Sequence, residues 1–195
     1  MNDILDAASR NTIETGASFS VRHRGYRVLW SLVWLILAAW TPPIFHPWRR
    51  VLLRLFGAKV SATAGIYSSA RIWYPANLRM APYAFIGPRA LVYSMGPIEL
   101  GAYALVSQGA HLCAGTHDIE DPNFQLCAGS IKIGERAWVA AEAFVGPGVT
   151  MGEGSVLGAR GVAFGDLEPW TVYAGNPARP LKKRVLRTGP VPAAS

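Results

Sequence analysis

Hydrophobic positions in the C-terminal half of the chain recur every six residues. From Ile133 the first place of the repeat is Ile133, Val139, Val145, Met151, Leu157 and Ala163. The second is small almost throughout: Gly134, Ala140, Gly146, Gly152 and Gly158, then Phe164. The fifth is compact as well, with Ala137, Ala143, Val149, Ser155 and Gly161. An earlier block keeps the beat through Met80, Ile86 and Val92, slips by two residues, and resumes at Leu100, Val106 and Leu112. A period of six fits neither an amphipathic helix nor an alternating strand. It predicts an all-β hexapeptide-repeat solenoid, a parallel β-helix in which each repeat supplies one short side of a coil. The aliphatic residue then points inward and stacks on its equivalents, while the small second residue relieves a tight corner. An ordinary β-sandwich would show alternation within strands and irregular turn spacing instead.

Other segments have other patterns. Residues 1–20 read as a flexible polar leader. Val28 to Trp40 is almost wholly apolar and ends at Thr41-Pro42-Pro43. As a helix it would run about 20 Å, short of the roughly 30 Å hydrocarbon core of a bilayer. Trp30, Trp34, Trp40 and Trp48 with basic flanks suit an interfacial helix or a shallow re-entrant hairpin. Trp48 to Phe56 reads as a short amphipathic helix. Residues 21–59 are therefore expected to lie at a membrane surface, to cap the solenoid, or both. The solenoid is expected over 60–172, broken by a polar loop at 118–130. A tail at 173–195 turns sharply and should carry a short basic helix around Leu181–Arg187.

At 195 residues the chain has room for one domain with an appendage. The net charge is +7 and the pI about 9.8. Basic clusters flank the apolar segment and close the chain, which suggests anionic partners. No helix-turn-helix, zinc-finger or RNA-binding signature accompanies them, so nucleic acid is not expected. Cys113 and Cys127 are the only cysteines. Nothing resembles a secretory signal peptide, and two cysteines without export imply reduced thiols in the cytoplasm. Cys113 falls at a small second place and reads as structural. His117 stands where the repeat yields to the polar loop. With an ordinary pKa of about 6.5 it could take a proton near neutral pH, or it could simply open the loop.

Several stretches together resemble the hexapeptide-repeat acyltransferases, and more narrowly the colanic acid biosynthesis acetyltransferase group. They are Trp48-Arg49-Arg50, Leu53 to Ala58, Ile72 to Leu78, Ser107 to Cys113, His117-Asp118, Ala143 to Val149, and Ala174 to Arg179. The resemblance implies a left-handed parallel β-helix that trimerises, with acetyl-CoA in a groove between neighbouring subunits and no metal. It places the family's general base on His117 and a backbone oxyanion donor on Ala141. Trp138, Ala159 and Gly161 would line the cofactor arm, and Arg179 with Lys182 or Lys183 would meet its phosphates. The sugar-binding Asn and Asp of galactoside and maltose acetyltransferases have no counterpart between Ile86 and Met95. Tyr93, Ser94, Gln108, His111 and Asp118 are weaker candidates for holding the acceptor.

The function expected from this resemblance is O-acetyl transfer to a saccharide in surface-polysaccharide assembly. The acceptor could be free, nucleotide-linked or lipid-linked, and the enzyme would sit peripherally at the inner face of the cytoplasmic membrane. Two alternatives stay open. One is a non-catalytic solenoid scaffold at the membrane. The other is a metalloenzyme like the gamma-class carbonic anhydrases, which needs three imidazoles where this solenoid offers only His111 and His117.

Overall fold

A computed structural model describes residues 4–10 and 12–187. The first coil is β1 (Lys59–Val60), β2 (Gly65–Ile66) and β3 (Arg71–Ile72). The second is β4 (Leu78–Met80), β5 (Phe85–Ile86) and β6 (Leu91–Tyr93), and the third β7 (Ile98–Leu100), β8 (Leu105–Val106) and β9 (His111–Cys113). A hairpin, β10 (Gly115–His117) with β11 (Leu126–Ala128), then leaves the solenoid. The fourth coil is β12 (Ile131–Ile133), β13 (Trp138–Val139) and β14 (Phe144–Val145). The fifth is β15 (Thr150–Met151), β16 (Val156–Leu157) and β17 (Val162–Ala163). The last coil begins at Leu167, bridged to Met151, and continues as β18 (Thr171–Ala174).

Equivalent strands of successive coils pair in parallel and build three faces. The first face is β1-β4-β7-β12-β15, the second starts at β2 and ends at β18, and the third is β3-β6-β9-β14-β17. The first places of the repeat form the core: Val139, Val145, Met151 and Leu157 are wholly buried, as are Ile86, Val92, Val106 and Leu112.

The second place is small for a different reason from the one expected. Gly101 and Gly134 do not have positive φ. A Cβ on Gly134 would lie 2.8 Å from the Glu153 nitrogen of the next coil. At Gly134, close stacking of one coil's backbone on the next therefore leaves no room for a side chain, whereas the second place of the following repeat holds the small side chain of Ala140. The left-handed conformation falls at the fourth place, on Arg136 (φ 53), Glu142 (φ 58) and Arg160 (φ 56). Each is the third residue of a turn, as where Ala137 N–H donates to the Gly134 carbonyl.

The three insertions between coils fall at the corner joining the third face to the first, as does one shortening, between Ala163 and Leu167. The insertions are the 3₁₀ turn Pro75–Asn77, the Ser94–Pro97 corner behind the two-residue slip, and the hairpin. Asn77 Nδ2 ties two of them by donating to the carbonyls of Ser94 (3.0 Å) and Met95 (2.9 Å).

The N-terminal region caps the first coil. Helix α3 (Val21–Leu37) starts at Ser20, whose hydroxyl accepts from His23 N–H, and its Trp30 Nε1 donates to the Ile72 carbonyl at 2.6 Å. Helix α4 (His46–Leu55) buries Leu52, Leu53 and Arg49. Among the described residues the Arg49 guanidinium has no carboxylate partner; it donates to the carbonyls of Ile66, Thr41, Pro42 and Pro43.

Two expectations are corrected. The leader is not a free tail: among its described residues it forms α1 (Ala7–Arg10) and α2 (Thr12–Thr15), and Ile4 bridges Phe19. Phe19 stacks on His23 and meets Trp73 edge-on, so apolar contact anchors it. The basic tail is not a helix but β19 (Arg179–Lys183), antiparallel to β18. Pro180 would stand just ahead of the expected helix, where proline is tolerated, so it does not decide the outcome; the open edge of the last coil does, by offering backbone partners to an added strand. Residues 188–195 lie outside the described residues.

Candidate active site

His117 ends β10 on the projecting hairpin and is exposed. Its Nδ1 lies 2.7 Å from the Phe124 carbonyl. A carbonyl can only accept, so Nδ1 carries a proton, and in the neutral imidazole Nε2 is then the nitrogen with the free lone pair. Phe124 holds its carbonyl there from a left-handed backbone (φ 49), with its N–H on the Asp121 carbonyl. The imidazole is thus oriented with its basic nitrogen free of that contact.

A second layer holds the hairpin. Asp118 N–H donates to the Gln125 carbonyl (2.8 Å). The Gln125 side chain reaches the leader, accepting from Ala7 N–H at 2.6 Å and donating to the Leu5 carbonyl at 3.2 Å. Sequence reasoning missed Phe124 and Gln125. A backbone carbonyl leaves no mark in residue type, and the partners of Gln125 are 118 and 120 positions away.

The residues expected to bind the donor lie on another side of the solenoid. Ala141 and Ala159 occupy the corner between the second and third faces, one coil apart. Arg160 N–H donates to the Ala141 carbonyl, while the N–H groups of Ala141 and Ala159 have no acceptor among the described residues. Trp138 stands on the second face, 40 % exposed, with Nε1 donating to Ser107 Oγ at 2.8 Å. Strand register carries a straight row from Leu105 through Trp138, Val156 and Val172 to Lys182. Three strand spacings separate Trp138 from Lys182, about 14 Å. Arg179 pairs with Ala174 on the same added strand, and both basic side chains are exposed. Lys183 is committed to Glu168 (3.1 Å) and Thr171 (2.9 Å). Beside Trp138, a groove of about 290 Å³ is lined by Tyr103, Leu105, Arg136, Ala137 and Arg184.

Gly161 does not line this surface. It is buried, its N–H donates to the Gly158 carbonyl and its carbonyl accepts from Phe144 N–H. A fifth-place residue turns into the core, so Gly161 serves packing. Ser94 is likewise withdrawn from solvent: wholly buried, it accepts from Tyr74 N–H and donates to the Tyr74 carbonyl. Asp118 faces its own turn and accepts from Glu120 N–H. Gln108 is exposed, at the corner where its carbonyl receives Glu142 N–H. His111 stands on the third face, edge-on to Phe144, and burial lowers its pKa. Tyr93 is half-buried against Trp73; burial raises its phenol pKa, with Cys113 adding and Arg27 opposing.

Within one chain the structure therefore divides the expected site. His117 springs from the corner between the third and first faces, whereas Ala141 and Ala159 sit beyond the third face. Among the described residues no three His, Cys, Asp or Glu side chains gather to hold a metal.

No protein-family model matches the chain. It is 42% identical over 157 residues to the "Putative colanic acid biosynthesis acetyltransferase WcaF" of Escherichia coli, covering 80% of this chain and 86% of that one. Among solved structures, a maltose O-acetyltransferase of Clostridium difficile superposes with a TM-score of 0.76 at 22% identity, covering 86% of this chain and 90% of the other. A hexapeptide-repeat acetyltransferase of Vibrio cholerae, complexed with acetyl coenzyme A, superposes with a TM-score of 0.73 at 19% identity and 93% of each chain. At such identities the structural likeness concerns the fold, a left-handed parallel β-helix.

Proposed function

The chain belongs to the family of the colanic acid biosynthesis acetyltransferases, and from that premise we propose that it transfers acetyl from acetyl-CoA to a saccharide hydroxyl during surface-polysaccharide assembly. It is an acetyltransferase; the acceptor class, the roles of its residues and its assembly are the proposed part. The observation that carries the reading is the His117 imidazole, tied through Nδ1–H to the Phe124 carbonyl and presenting Nε2 as a base.

The reaction balances on this chain's groups. His117 Nε2 takes the proton of the acceptor hydroxyl as its oxygen attacks the thioester carbonyl carbon. The Ala141 N–H stabilises the oxyanion of the tetrahedral intermediate, where a backbone donor leaves the side chain free to be Ala. The carbon–sulfur bond breaks, and the imidazolium returns its proton to the departing CoA thiolate. The products are an acetyl ester and free CoA. The row beyond Trp138 would carry the pantetheine arm towards Arg179 and Lys182, whose charges suit its phosphates.

His117 and Ala141 lie on different edges of one solenoid, which supports a homotrimer that sets one chain's hairpin against the next chain's corner. The protein would act peripherally at the inner membrane face, on a free or lipid-linked saccharide.

The test supplies acetyl-CoA and a panel of free and nucleotide-linked saccharides, and follows thiol release and ester formation by mass spectrometry. His117→Ala should lower turnover by about 10²- to 10⁴-fold and leave acetyl-CoA binding within twofold. Undiminished turnover would remove His117 from the mechanism. A folded protein that binds no acetyl-CoA would overturn the whole reading.

A further inference from the structure

Charge is divided unequally along this chain. Between Glu14 and Glu99 there is no Asp or Glu, yet ten Lys and Arg residues. That stretch comprises α3, α4 and the first two coils, one end of the solenoid. Arg22, Arg24, Arg54 and Lys59 are exposed there.

Helix α3 is apolar on two sides. Its inner side meets the first coil through Trp30 and Trp34, whose indole N–H groups reach the carbonyls of Ile72 and Ser68. Its outer side is apolar, with no covering element among the described residues: Leu29, Leu32, Leu35 and Ile36 are 50 % to 64 % exposed, and Trp40 73 %. A groove of about 330 Å³ between Leu37, Trp40, Phe45 and Trp48 continues the patch onto α4, where Leu55 is exposed. Lone exposed leucines are ordinary, but a contiguous apolar surface spanning two helices marks an interaction site.

We propose that this outer face of α3 and α4 docks on an anionic lipid bilayer. Opposite charge favours that occupant, because cations with no acid among them flank the apolar strip. Two tryptophans at the edge suit the headgroup layer. A second copy of the same face would bring its own cations against these, so self-pairing is opposed. With 17 residues α3 is about 26 Å long, and among the described residues no helix is long and apolar enough to cross a membrane. The face therefore lies in the interface plane. The hairpin carrying His117 leaves the third coil, two coil spacings or about 10 Å from the first. The saccharide of a lipid-linked acceptor would be displayed at that height. The last point rests on the functional reading above; the docking itself does not.

The test is flotation of the full chain with phosphatidylcholine vesicles, with and without about a third phosphatidylglycerol. Light scattering of the lipid-free protein and acetyl transfer to a soluble saccharide are measured beside it. Binding is expected only with the anionic vesicles, falling steeply with salt, with Trp fluorescence shifting to the blue. Arg22→Glu with Arg24→Glu should weaken it more than tenfold, since each basic side chain near the surface contributes roughly a fivefold factor. Leu32→Ser with Ile36→Ser should weaken it similarly, and neither pair should change the lipid-free mass or transfer in solution. Equal binding to both vesicles, or none to either, would overturn the proposal. So would a change of oligomeric mass in the serine variant with vesicle binding intact, which would assign the face to a protein interface. Loss of transfer with vesicle binding kept would count against the enzymatic reading alone.

Discussion

Gly101→Ala tests the coil stacking that places His117. Gly101 lies in the third coil and faces the fourth, the pair between which the hairpin emerges. A Cβ there would stand 2.6 Å from the Glu135 nitrogen, 2.8 Å from the Gly134 carbonyl carbon and 3.1 Å from the Glu135 Cα. All three are backbone atoms, so no rotamer change relieves the contact. Separating the coils would stretch the bonds from Gly101 N–H to the Ile133 carbonyl (2.7 Å) and from Arg136 N–H to the Ala102 carbonyl (2.9 Å). Overpacking costs about 1–3 kcal/mol, and weakened hydrogen bonds add about 1 kcal/mol. A loss of roughly 2–4 kcal/mol lowers the melting temperature of a chain this size by roughly 5–15 °C. Gly25→Ala is the control: it sits inside α3 with no heavy atom within 4 Å of the added Cβ. Helix propensity predicts stabilisation of about 0.5–1 kcal/mol there. Calorimetry at one protein concentration, with turnover measured in parallel, should show the two substitutions moving stability in opposite directions. If Gly101→Ala melts no lower than the parent, close coil contact is not why the second place is small.

Three further outcomes are expected. Arg179→Ala with Lys182→Ala should raise the Kd for acetyl-CoA by roughly 10- to 100-fold, from lost charge-assisted bonds, and flatten its salt dependence; unchanged affinity by calorimetric titration would place the phosphates elsewhere. Gln125→Ala removes the side chain that joins the leader to the hairpin; kcat should fall about tenfold or more with KM for acetyl-CoA unchanged, whereas a drop in melting temperature with kcat intact would make Gln125 merely structural. Burial, with Arg49 and Arg50 adding and the Ile66 carbonyl opposing, lowers the pKa of His46, and burial lowers that of His111. The unfolded chain then binds more protons, so the stability from these groups is complete above about pH 6.5 and declines as pH falls towards their folded values. Urea unfolding at pH 7.5 and pH 5 should show that loss, and His46→Gln should reduce it; equal stability at both would refute the assignment.

The six-residue period was sufficient for the solenoid and its core, because each first-place residue repeats one local environment on every coil. The apolar and amphipathic segments, read as Val28 to Trp40 and Trp48 to Phe56, overlap α3 and α4, but α3 begins seven residues earlier, at Val21, and ends at Leu37. The candidate base was legible through the resemblance and its place at the break. Its tautomer was not: that depends on the Phe124 carbonyl, which any residue in a left-handed backbone could present. Ser94 and Gly161 looked accessible as residue types, and only the packing of one coil on the next showed them buried.

By itself, then, the sequence determined what repeats or acts over a few residues: the coil, the column of aliphatic side chains, the capping helices and the uneven charge. Tertiary structure decided what depends on distant neighbours. The leader is held by Gln125 because a hairpin far along the chain returns to it. The basic tail becomes β19 because the last coil leaves an edge to be paired. His117 and Ala141 stand on different edges because the third face lies between them. Contacts of that kind are set by where coils stack, which no local pattern of residues encodes.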